Sequence, residues 1–74
     1  MSPDKMIYMA NQIATFFRSQ PGEAQAARVA AHLKDFWEPR MLAQFQRIIA
    51  GEEAVGLAID PIVRDAAAHL KEMA

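Results

Sequence analysis

Four prolines, Pro3, Pro21, Pro39 and Pro61, divide the chain, and no other feature limits its fold as much. Proline lacks a backbone N–H and clashes with the preceding turn, so it is excluded from helix interiors. It suits the first helical position, where the missing donor would be unpaired anyway. Each proline therefore marks a start or a stop. Between them apolar residues recur at three- and four-residue spacing, and strand-like alternation is absent.

Ser2 is placed to cap and Asp4 suits the positive end of a helix dipole, so a first helix is expected from Pro3. Its stripe is Met6, Met9, Ala10, Ile13, Phe16 and Phe17, widened by Ile7 and Ala14. The stretch "SQPG", Ser19 to Gly22, ends it. A second helix is expected from near Pro21, with Glu23 in its first turn, to about Phe36, turning Ala26, Val29, Ala30, Leu33 and Phe36 inward. Pro39 disfavours helical geometry at Glu38 and predicts a break there. A third helix then runs from Pro39 to about Ala50, with Met41, Leu42, Phe45, Ile48 and Ile49 inward and Gly51 as its stop. The segment "GEEAVGLA", Gly51 to Ala58, has two glycines and no periodicity, so it is expected to be a flexible surface loop. Asp60 as cap and Pro61 as first residue open a fourth helix that turns Ile62, Val63, Ala66, Ala67, Leu70 and Met73 inward. Asp60 and Arg64 are expected to pair across one turn. The predicted fold is all-α, a single domain over residues 1–74 built as a small bundle of about four short helices with proline-initiated turns.

A chain of 74 residues buries only roughly 60% of the surface its unfolded form exposes. Small scaffolds of this size usually add disulfides, a metal or a partner. Cysteine is absent, which removes the first and most forms of the second. With 53% apolar residues, five of them methionine, a partner chain is the expected source of extra stability. The net charge of −1, from eight bases and nine acids, lacks the basic excess that a nucleic-acid binder needs. No apolar run approaches the roughly 20 residues of a membrane span, and the N-terminus has no signal-peptide segment. A cytoplasmic protein is expected.

Chemistry is sparse. His32 and His69 lie on different predicted helices, and neither has a second ligand at a metal spacing. His32 and Asp35 share one helix face near Glu38, but a solvated surface accounts for all three. The hydroxyls of Ser2, Tyr8, Thr15 and Ser19 are not set beside a histidine and a carboxylate for nucleophilic catalysis. The stretches "PGEAQ" and "AGEEAVG" fit neither phosphate-binding loop pattern. The methionines read as gap-fillers in a small core. No catalytic, cofactor-binding or metal-binding residue is assigned, and an enzyme acting alone is not expected.

The stretch "DFWEPR", Asp35 to Arg40, carries two adjacent aromatics, which point about 100° apart on a helix. So small a core takes only one of them fully. An exposed tryptophan beside an arginine has the composition of an interface anchor, so Trp37 is expected to face outward. The residues taken alone point to an interaction module.

Three stretches in order, "MANQIATFF" (9–17), "HLKDFWEPRM" (32–41) and "DPIVRDAAAHL" (60–70), together resemble the delta subunit of the cytoplasmic NAD-dependent molybdenum-containing formate dehydrogenases. The likeness covers nearly the whole chain. It departs at Tyr8, where the family often has a base, and in the loop from Gly51 to Ala58. The resemblance implies a non-catalytic subunit with no cofactor of its own. Its complex would have an alpha subunit holding a molybdenum cofactor and iron–sulfur clusters, with beta and gamma subunits handling FMN, NAD and electron relay. Carried over by motif, Asn11, Gln12, Phe36, Trp37, Pro39 and Arg40 are the expected partner-binding positions. Docking on the alpha subunit and assisting its assembly are both open roles. Outside the resemblance stands a generic helical adaptor or small regulator that dimerises through its apolar surface.

Overall fold

The computed structural model describes residues 1–20 and 24–73 and consists of four helices, with no strand among the described residues. Helix α1 spans Pro3–Arg18, α2 Gln25–Phe36, α3 Pro39–Ile49 and α4 Pro61–Met73. The all-α bundle expected from the sequence is therefore the fold. Its radius of gyration is 11.3 Å, against about 11 Å for a folded chain of this length.

Local chemistry explains most boundaries. Ser2 accepts from the Lys5 N–H at 3.2 Å and caps α1, with Pro3 in the first turn and Asp4 beside it. Helix α3 starts on Pro39 after the extended residues Trp37 and Glu38, whose ψ angles are 137° and 152°. The predicted corner is present. Gly51, at φ 84°, ends α3. Its N–H donates to the Ile48 carbonyl at 3.0 Å, and the Glu52 N–H donates to the Arg47 carbonyl at 2.9 Å. That pair of bonds satisfies carbonyls the helix would leave unpaired, and the positive φ it requires is what glycine supplies. Asp60 accepts from the Ile62 N–H at 2.9 Å and caps α4 as expected.

The start of α2 differs from the expectation. Pro21 and Glu23, where the second helix is expected to open, lie outside the described residues, and the described helix begins at Gln25. Ala24 is left-handed, with φ 60° and ψ 42°. That conformation cannot belong to a right-handed helix, so α2 starts only after it.

The core joins all four helices. Met6, Ile7, Ala10 and Ala14 of α1 meet Val29, Ala30 and Leu33 of α2, Phe45 and Ile48 of α3, and Val63, Ala66, Ala67 and Leu70 of α4. The alanine-rich pair α2 and α4 packs most extensively, since small side chains let two helix backbones approach closely. Met9, Ile13, Phe17, Met41, Leu42, Ile49 and Ile62 sit half-buried around this centre. Three residues assigned to the inward stripes face out instead: Phe16, Phe36 and Met73 are 58%, 73% and 39% exposed. The core is too small to cover every residue of each stripe.

Candidate partner-binding surface

The "DFWEPR" corner presents its two aromatics in the opposite order to the expected one. Trp37 is buried and packs edge-on against Phe45, with ring centroids 5.8 Å apart and planes at 88°. It is Phe36 that points to solvent. The outward orientation expected of Trp37 is thus overturned. Trp37 is the extended residue that follows α2, so its side chain leaves the helical register and swings under the corner toward α3.

Phe36 ends a continuous row of rings across α1 and α2. Its ring lies 4.6 Å from His32, one turn earlier on α2, and His32 lies 5.9 Å from Phe17 of α1. Phe17 in turn meets Phe16 at 5.2 Å and 85°. The Phe16–Phe17 and Phe17–His32 pairs meet edge-on, which suits ring quadrupoles, while His32 and Phe36 are tilted by 31°. Gln12 and Ile13 complete a shallow groove with Phe16, Phe17 and His32. Tyr8, also exposed, precedes Gln12 by one turn and Phe16 by two, so the three share one face of α1.

The remaining carried-over positions fall in three places. Gln12 is exposed and borders the ring groove beside Phe36's neighbours. Pro39 and Arg40 are exposed in the first turn of α3, just past the corner. Asn11 is turned elsewhere. Its Nδ2 donates to the Ala58 carbonyl at 3.0 Å, and its Oδ1 accepts from the Asp60 N–H at 3.1 Å. Phe16, Phe17 and His32 were not among the expected contact residues. Their signal was present, because Phe16 and Phe17 are adjacent aromatics subject to the same 100° argument as Phe36 and Trp37.

The Asn11 bonds belong to a clasp that closes the chain. Arg18, near the end of α1, forms an ion pair and hydrogen bond with Asp60, not the Arg64 pair expected from spacing. Burial disfavours charge on the Asp60 carboxyl. Hydrogen bonds from Arg18 and the Ile62 N–H, with the Arg18 charge, outweigh burial and hold its pKa below the ordinary value. The loop expected to be flexible is tied down at two further points. Gly56 N–H donates to Asp4 Oδ1 at 2.8 Å, and Glu53 receives Arg47 Nε at 3.0 Å and Gln44 Nε2 at 3.2 Å. Those two donors, Arg47 first, lower the Glu53 pKa.

Among the described residues, no group of three or more histidines and acids could hold a metal ion. No helix among them is long and apolar enough to cross a membrane. Comparison with curated proteins and with solved structures gives no match. The model of one protein family, NADH-dependent formate dehydrogenase delta subunit (FdsD), matches residues 5–67. That span takes in α1, α2, α3 and the clasp, together with the first half of α4. The chain belongs to the family of NADH-dependent formate dehydrogenase delta subunits.

Proposed function

We propose that this chain is a non-catalytic accessory subunit that docks on the molybdenum-containing alpha subunit of a formate dehydrogenase, in a complex with beta and gamma subunits. Besides family membership, the observation that carries the reading is the ring row from Phe16 to Phe36. Phe16 and Phe36 stand 58% and 73% exposed, although full burial of such a side chain is worth about 1.5–3 kcal/mol. A partner surface supplies that burial. Gln12, which borders the groove, and Arg40, exposed with Pro39 just past the corner, supply in this reading the polar margin that interfaces place around apolar centres. In this reading Asn11 holds the clasp and Trp37 packs the corner against Phe45, and neither belongs to the exposed face. The molybdenum cofactor, iron–sulfur clusters, FMN and NAD belong in this reading to the other subunits, and the chain shares their cytoplasmic location.

The test is co-purification of the tagged chain with its formate dehydrogenase, beside the double variant Phe16→Ala/Phe36→Ala. Loss of the two most exposed rings of the row should weaken association by about 2 kcal/mol or more, roughly thirtyfold, while the free chain keeps its helical circular dichroism. One copy retained per active complex identifies a permanent brace. A chain that leaves once the enzyme is active identifies an assembly factor. A double variant that binds as tightly as the wild type refutes the docking surface. A chain that binds no subunit and only self-associates is a generic adaptor.

A further inference from the structure

A second surface shares no residue with the ring groove. Leu42 of α3 and Leu70 and Met73 of α4 line an open groove of about 250 Å³, with Gln46 among them and Lys34 and Lys71 also lining it. The two lysines stand in the last turns of α2 and α4. Among the described residues, no acidic side chain lines the groove. Gln46 donates from Nε2 to the Ala67 carbonyl at 2.9 Å, which fixes the amide's orientation. Its Oε1 is left buried with no hydrogen-bond partner.

These features specify an occupant. Apolar walls take an apolar side chain. Lysine stems lie along such walls and keep their ammonium groups at the rim. Covering the groove removes those charges from water, which is tolerable only when an anion arrives with the cover. A basic segment would be repelled, so the rim selects sign as well as shape.

We propose that this groove receives a segment of the partner subunit in which an apolar side chain is flanked by carboxylates. The proposal rests on the accessory-subunit reading and adds to it a second contact of defined charge.

Zero-length carbodiimide cross-linking of the purified complex, followed by mass spectrometry, tests it. Lys34 and Lys71 should be joined to aspartate or glutamate of another subunit. Lys34→Glu/Lys71→Glu should weaken association on the order of 100-fold at low salt, with the melting curve of the free chain little changed because both lysines are exposed. The loss should shrink as salt is added. A complex that needs Phe16 and Phe36 but tolerates the charge reversal overturns this proposal and leaves the accessory-subunit reading intact. Cross-links confined to two copies of this chain also overturn it. An intact chain that joins no formate dehydrogenase refutes both.

Discussion

Replacing Trp37 and Phe36 separately by alanine should divide folding from docking, because the two neighbours differ so sharply in exposure. Trp37 is 7% exposed and packs against Phe45. Burying about 200 Å² at about 25 cal/mol per Å² gives about 5 kcal/mol, an upper figure because the unfolded chain already hides part of that surface. Large-to-small aromatic substitutions in cores fall at about 3–5 kcal/mol. A domain of this length has a total stability of about 4–11 kcal/mol, so Trp37→Ala should lose much of it. Phe36 is 73% exposed, and the quarter or so that is covered is worth only about 1 kcal/mol by the same coefficient. Alanine's better helix propensity, about 0.5 kcal/mol, offsets part of that. Urea denaturation of the free chain followed by circular dichroism, which does not depend on tryptophan emission, gives both values. A Trp37→Ala unfolding free energy within 1 kcal/mol of wild type, or a Phe36→Ala loss as large as that of Trp37→Ala, would refute the assignment of the two rings.

Two further substitutions examine the clasp. Asn11→Ala removes a donor and an acceptor that hold Ala58 and Asp60, and should lower stability by about 1–3 kcal/mol in the same urea assay; Asn11→Asp should lose at least as much, because a carboxylate oxygen then replaces the donor against the Ala58 carbonyl. Asp60 has a pKa lowered in the folded state, so its contribution is present at neutral pH and disappears as pH falls below about 4 through the lowered value. Asp60→Asn should therefore lower the unfolding free energy at pH 7 by about 1 kcal/mol, with the gap to wild type closing as pH falls through the lowered value. A gap that is constant across that range would show that the carboxylate charge contributes nothing.

The helices were legible because their boundary signals are local. Ser2, Pro3, Pro39, Gly51, Asp60 and Pro61 act through their own turn, and each marks the boundary the sequence indicates. Periodicity located the core, since Met6, Ala10, Val29, Leu33, Phe45, Val63 and Ala66 are all buried. It could not say how wide an apolar stripe the bundle covers, and so Phe16 and Phe36 were assigned inward. Trp37 was placed outward because a helical register was extended one residue past its end, where the backbone is already extended. The Asp60 partner was misread for a related reason. Spacing favours Arg64 one turn away, whereas Arg18 is 42 residues distant in sequence and near only once α1 and α4 pack.

The clasp also bears on the order in which the protein is made and folded. Its contacts join positions 42, 47 and 49 residues apart, so they form late, after a long loop has closed. A nascent chain synthesised only as far as the third helix has nothing to lay over the alanine-rich side of the second, which the fourth helix covers more extensively than any other. Until residue 60 emerges, the half-built bundle is open along that seam. During that interval the growing chain has a transient sticky face, the side of the second helix that the fourth covers in the finished subunit.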